Sequence, residues 1–169
     1  ALTGGIVTNA VNIPAIRPED MEALAPLVPL CRQLGKIAVR LAERASVDRV
    51  CVRCEGRLAA HDTRLLTIAV LNGVLEGHTE EQVNLVNALS LAEERGIVIE
   101  EAKQAETEDF NELVKVALTS GDETVEVAGT GFGPRNVPHL VGVHGQSFNI
   151  EIAPHLAFFR YRDQPGMIG

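Results

Sequence analysis

The spacing of apolar residues changes along the chain, and each change predicts an element. Leu24, Leu27, Leu30, Leu34, Ile37 and Leu41 recur at three- and four-residue steps, the spacing of one buried helical face. Pro18, with Glu19 and Asp20 behind it, marks a helix start. Pro26 and Pro29 interrupt the first part, which predicts a short turn and then the main helix to about Glu43. From Ser46 to Leu58 the period falls to two. Val50, Val52 and Cys54 alternate with Cys51, Arg53 and Glu55, the pattern of a half-buried strand. Asp62 is placed to cap a second helix, whose stripe of Leu65, Leu66, Ala69, Val70, Gly73 and Val74 ends near Gly77. Thr79 before Glu80-Glu81-Gln82 has capping-box character, and Leu89–Arg95 reads as a helix closed by Gly96.

Beyond Gly96 the chain reads as strands: 97–104, 112–119, 124–130, 139–143, 147–152 and 155–161. Ser120-Gly121-Asp122 and His144-Gly145-Gln146 are the expected tight turns. Helices followed by a run of strands predict an α+β fold, with helices packed on one face of a mainly antiparallel sheet. Residues 1–16 are small, β-branched and closed by proline, which suits an extended connector.

Composition narrows the function classes. With 169 residues, 46% hydrophobic and 22% charged, the chain can bury one real core, and a single domain with a short appended piece is the default. The net charge of −8, with no basic cluster to offset it, argues against nucleic acid and against anionic membrane surfaces as partners. Aromatic content of 4% leaves no base-stacking platform. No apolar run approaches the roughly 20 residues that span a bilayer. Three cysteines are too few for a disulfide scaffold, so a reducing cytoplasm is the expected location. The chain begins without Met and stops at Gly169 inside an apparent turn, which reads as a piece of a longer polypeptide.

The candidate chemistry is thin. Cys51-Val-Arg-Cys54 has the spacing of a zinc knuckle or redox dithiol, yet it lacks a second ligand pair, and strand alternation sends the two thiols to opposite faces. Cys31 falls in a helical stripe and is expected in the core. Gly129-Thr-Gly-Phe-Gly-Pro-Arg135 suggests a phosphate cradle, but Pro134 removes a donor and no helix start follows; a sheet bend or bulge is the better reading. Arg135 is then free to meet an anion or a surface acid. His61, His78, His139, His144 and His155 share no ligand spacing, and no metal site is predicted. Glu80/Glu81, Glu93/Glu94 and Glu100/Glu101 read as solvated faces. No nucleophile elbow or His-carboxylate set can be assigned, so no catalytic and no cofactor-binding residue is expected.

Two segments carry a resemblance. The C-terminal stretch His155-Leu-Ala-Phe-Phe-Arg-Tyr-Arg-Asp163-Gln-Pro165-Gly166-Met167-Ile168-Gly169 resembles the opening of an ACT domain, an amino-acid-binding regulatory module. The body carries Gly5-Ile-Val-Thr-Asn-Ala-Val-Asn-Ile-Pro, Leu34-Gly35, Val83-Asn-Leu-Val-Asn-Ala88, Ala92-Glu-Glu-Arg-Gly96 and Val127-Ala-Gly-Thr130 with Phe132-Gly133. This ordered set is similar to the intervening, or allosteric substrate-binding, domain of long-form D-3-phosphoglycerate dehydrogenase. The resemblance implies residues 1–16 as a connector from the catalytic part, 17–153 as the intervening regulatory domain, and 154–169 as the first strand and turn of an ACT domain.

It further implies a parent enzyme that uses NAD at the first step of L-serine synthesis, with its catalytic and dinucleotide residues upstream of Ala1. The fragment itself would be non-catalytic and without cofactor, coupling the catalytic part to a serine-sensing ACT module within a homo-oligomer. Asp163, Gly166 and Met167 become candidate effector contacts, since Gly166 permits close backbone approach and Asp163 suits an ammonium. Some members carry an anion site on the strands before the ACT module; here Arg135 and His139 are the candidate contacts. Ser147 and Glu151 stand where cationic character would be wanted, and a carboxylate beside an anion is unfavourable by about a kcal/mol or more. Two alternatives stay open: the related domain of a bacterial L-serine dehydratase, and a self-associating module without ligand.

Overall fold

The computed structural model describes residues 15–43, 46–76 and 78–159, and the structural statements below concern those residues. Pro18 opens α1 (Pro18–Leu24), a single 3-10 turn covers Ala25–Leu27, and α2 runs over Val28–Leu41. Pro26 and Pro29 both sit where a missing N–H costs nothing, one at the start of the turn and one at the start of α2. The predicted break is therefore real, and α2 ends two residues before Glu43. Leu24, Leu27, Leu30, Leu34 and Ile37 are buried as the spacing requires, and Cys31 is fully buried among them.

β1 (Arg49–Gly56) follows, then α3 (Arg64–Leu75), α4 (Ala88–Glu94) and β2 (Val98–Gln104). Four strands complete the fold: β3 (Glu112–Ser120), β4 (Glu123–Phe132), β5 (Val137–Val143) and β6 (Gln146–Glu151). They form one six-stranded sheet in the order β2-β1-β3-β4-β5-β6. Every neighbouring pair is antiparallel except β1 and β2, which are parallel and joined through α3 and α4. The sheet is thus mixed, and the α+β reading holds with that qualification. A parallel pair needs a crossover of a dozen residues or more, usually helical, and α3 and α4 supply it.

One face of the sheet meets the helices. Val50, Val52 and Cys54 stand opposite Leu118, Val116 and Val114, and these in turn face Val125, Val127 and Gly129. All ten positions of this patch, Leu140 on β5 included, are buried. α2 packs over β3, β4 and β5, and α3 lies between α2 and α4. Every residue from Leu65 to Leu75 is buried. The stripe read from the sequence understates this: α3 is buried all round, Thr67 and Asn72 included, because it is the central helix of its layer.

Three sequence expectations are corrected. No helix begins at Thr79. Its hydroxyl donates to the Glu81 carbonyl at 2.6 Å, and Asn84 and Asn87 bond each other's backbone amides in a turn that precedes α4. Ser, Thr and Asn side chains offer the backbone such alternatives to a helix. Residues 155–159 form no strand; Ile152 and Leu156 instead pack against the helix-side core. The Asp62 cap shifts by one residue, since Thr63 is the N-cap, while the Asp62 carboxylate accepts from the Arg64 amide at 3.3 Å. The register shifts where the glycine segment begins, but the extra residue is on the partner strand: Ala128 faces Gly142 and Gly129 faces Leu140, leaving Val141 as the bulge on β5. No helix among the described residues is long and apolar enough to cross a membrane.

Candidate functional site

β4 ends in a turn at residues 133–136, where the Asn136 amide bonds the Gly133 carbonyl at 3.1 Å and both residues have positive φ. Arg135 is exposed in this turn and makes no ion pair among the described residues. His139 lies on β5. Its Nδ1 stands 2.6 Å from Asn149 Oδ1, so Nδ1 carries a proton and donates. Its ring lies against Phe132, with centroids 4.6 Å apart, and Phe132 meets Phe110 edge-on at 6.3 Å. In the β5–β6 register His139 stands directly opposite Glu151. The geometry therefore joins His139 to Asn149, Phe132 and the acidic Glu151 rather than to a second cation. Asp163, Gly166 and Met167 lie outside the described residues.

The thiols behave as strand alternation requires. Cys54 points into the core, where burial first and foremost pushes its pKa up to about 12, while Cys51 sits half-buried on the other face. Burial also raises Cys51, and raises Cys31 well above the ordinary thiol value. No cluster of three metal-ligating side chains occurs among the described residues. The paired carboxylates at 80/81, 93/94 and 100/101 are all exposed.

Among the ionic constellations that escaped the sequence reading, three lie at α1 and along the β1–β3 pair. Asp20, a first-turn acid by position, is 1% exposed. It pairs with Arg17 at 2.9 Å and with His61 Nδ1 at 2.8 Å, tying α1 to the segment before α3. The His61 hydrogen bond, then Arg17, holds the Asp20 carboxyl below its usual value despite burial. Beside this pair, Arg64 grips Asp62 and donates to the Ala15 carbonyl at 3.1 Å, while Lys103 donates to the His61 carbonyl at 2.6 Å. The second constellation joins Arg57 to Glu112 at 2.9 Å. The third is Glu55 with Lys115 on the sheet face away from the helices. None forms a nucleophile–base–acid set, so these groups organise structure and charge.

The profile of the D-3-phosphoglycerate dehydrogenase intervening domain matches residues 23–144, most of the described fold. The chain belongs to that family. Among curated relatives, D-3-phosphoglycerate dehydrogenase of Archaeoglobus fulgidus is 37% identical over 164 residues, covering 96% of this chain and 30% of the relative. The enzyme of the same name from Mycobacterium tuberculosis is 32% identical over 170 residues, covering 100% of this chain and 32% of the relative. The chloroplastic D-3-phosphoglycerate dehydrogenase 2 of Arabidopsis thaliana is 31% identical over 187 residues, covering 100% and 29%. The chain thus spans about a third of the length of the curated relatives it matches. Dehydrogenases from an archaeon, a bacterium and a plant favour the dehydrogenase reading over the serine dehydratase alternative.

Proposed function

We propose that this intervening domain is a non-catalytic regulatory module that transmits the state of a serine-sensing ACT module to the catalytic part of an NAD-dependent D-3-phosphoglycerate dehydrogenase, the first enzyme of L-serine synthesis in the cytoplasm. Family membership over residues 23–144 is the observation that carries this reading. The geometry supports it in a specific way. Ile16 near the start, and Ile152 and Leu156 near the end, pack against the same helix-side core cluster. Incoming and outgoing chain are therefore seated on one rigid layer, and a displacement of one is felt by the other through packed side chains. NAD and the reacting groups belong to the rest of the parent chain in this reading, L-serine to the completed ACT site with Asp163, Gly166 and Met167, and homo-oligomer contacts to the assembled enzyme. Arg135 and His139 remain the candidate anion contacts, with Glu151 opposing that role.

The test is a parent enzyme carrying Leu156→Ala. Coupling free energies of about 1–3 kcal/mol correspond to 5–150-fold shifts in effector affinity. The expected result is a serine inhibition constant weakened about fivefold or more, with turnover in the absence of serine unchanged. An unchanged inhibition constant would remove the coupling role. The 169-residue chain alone should neither bind NAD in a calorimetric titration nor oxidise 3-phosphoglycerate.

A further inference from the structure

The sheet face turned away from the helices is not a plain solvated surface. The connection between β2 and β3 and the β5–β6 turn rise on either side of it and enclose a cavity of about 280 Å³. Leu113, Ala128 and Val141 form its apolar floor, and Phe110 packs against them. The β5 bulge shapes this floor, because the extra residue places both Val141 and Gly142 on the cavity side while Leu140 faces the helices. The walls carry four carboxylates, those of Glu55, Glu108, Asp109 and Glu126, against the single ammonium of Lys115.

Glu55 is the group that points to a ligand. It is 3% exposed, and its Oε1 is sealed and accepts no hydrogen bond. Lys115 Nζ stands 2.9 Å from that oxygen, so charge is countered by an ion pair that forms no hydrogen bond. An ionised carboxylate offers about four lone-pair sites, and burying them unfilled is costly. A half-exposed lysine ammonium leaning on this carboxylate shows the chemistry that suits it: a cationic N–H donor on an alkyl stem, resting on an apolar floor.

We propose that this cavity binds small organic ammonium ions, with Glu55 as the buried counter-ion, Leu113, Ala128, Val141 and Phe110 holding the alkyl body, and Lys115 as a tethered competitor. Glu108, Asp109 and Glu126 at the rim attract cations and repel anions of the same size. Phe110 adds an aromatic wall of the kind that favours a cation near its face. Nothing in this argument depends on the regulatory reading above.

The test titrates n-butylammonium, n-butyrate and n-butanol into the full chain at low salt and follows backbone amide shifts by NMR. Saturable shifts at Gly142, Gly145 and Ser147 are expected with n-butylammonium, no saturation with n-butyrate, and about tenfold weaker binding of n-butanol. Added salt should weaken n-butylammonium, since rim charges are screened over about 10 Å at 0.1 M ionic strength. The exposed pair Asp109→Asn with Glu126→Gln should weaken it severalfold. Lys115→Met is the decisive variant: removing the competitor should tighten n-butylammonium binding severalfold, a gain that no loss of folding can mimic. Equal affinity for n-butylammonium and n-butyrate, no saturation with n-butylammonium, or no tightening in Lys115→Met would each overturn the assignment.

Discussion

Two glycines let α2 and α3 meet backbone to backbone, and adding one methyl group there should cost more than it gains. At Gly73 of α3 a Cβ would lie 2.0 Å from the Arg32 carbonyl oxygen and 3.0 Å from the Lys36 amide nitrogen of α2. At Gly35 of α2 it would lie 2.2 Å from the Val70 carbonyl oxygen of α3. Ordinary contact is about 3.5 Å, so either alanine must drive the helices apart by roughly 1.5 Å at the crossing. The obstacle is backbone, which cannot rotate aside. Separation would loosen a seam lined by Leu30, Leu34, Val70 and Val74, all 2% exposed or less. Overpacking of this kind costs about 1–3 kcal/mol, and rigid obstacles favour the upper end. Alanine recovers about 1 kcal/mol of helix propensity over glycine. The net for Gly73→Ala is a loss of about 2 kcal/mol, or a fall in Tm of about 4–8 °C for a chain of this size. Gly35→Ala should behave alike. The double variant should lose clearly less than the two losses added, because one opening of the seam relieves both clashes. Urea unfolding followed by circular dichroism, with m unchanged, gives the values. Full additivity, or a Gly73→Ala chain as stable as its parent, would refute the seam argument.

Other consequences are as direct. Asp20 has a folded pKa below its ordinary value of 3.8, so its partners stabilise the fold above that pH, and the contribution fades as pH falls through the lower folded value. The stability advantage of the parent over Asp20→Asn should be full at pH 6 and shrink progressively below about pH 4; a pH-independent difference would contradict the pairing with His61 and Arg17. Burial raises all three thiol pKa values, so native labelling with iodoacetamide at pH 8 should reach Cys51 slowly and spare Cys31 and Cys54, while urea-unfolded chain labels at all three. Mass spectrometry of peptides reads this out, and rapid native modification of Cys54 would show that its strand opens. His139 and Glu151 face each other, so Glu151→Arg should bind inorganic phosphate measurably more tightly than the parent, checked by calorimetry at low salt.

Much of this architecture follows from local pattern. Val50, Val52 and Cys54 fall on the core side because strand side chains alternate, and the same rule separates Cys51 from Cys54. Gly96, with φ +72°, ends α4 where the periodicity stops. The glycine segment from Gly129 reads as a bend or bulge, and the register does shift at Ala128/Gly129, though the extra residue is Val141 on the neighbouring strand. What pattern does not encode is direction and cover. A period of two is the same for a parallel and an antiparallel neighbour, so the β1–β2 pairing depends on how α3 and α4 return the chain. Alternation also assigns Glu55 and Lys115 to the outer face as if to water. Glu55 is instead buried and Lys115 partly covered, because the β2–β3 connection folds over that face, a tertiary event with no signature in either strand. Asp20 is a similar case: the residue type fits a helix start, but the depth is set by His61, 41 positions away.

The two faces of the sheet therefore carry different physics. On the helix side, backbone-to-backbone packing at Gly35 and Gly73 makes a layer that resists deformation, and Ile16, Ile152 and Leu156 rest on it. A stiff layer is a good transmitter and a poor receptor, because a ligand can enter only by opening it. The other face has the opposite properties. Its apolar patch is small, its charges are of predominantly one sign, and its deepest group, Glu55, lacks a well-aligned donor. A ligand there would enter no part of the helix-side core, yet it would sit on β3 and β4, two of the three strands over which α2 packs. Any effect on the connecting segments would have to pass through Leu113 and Ala128 into their neighbours Val114 and Val127, and so into α2. Substituting Val127 with Ala should then weaken such an effect while leaving binding at Glu55 intact.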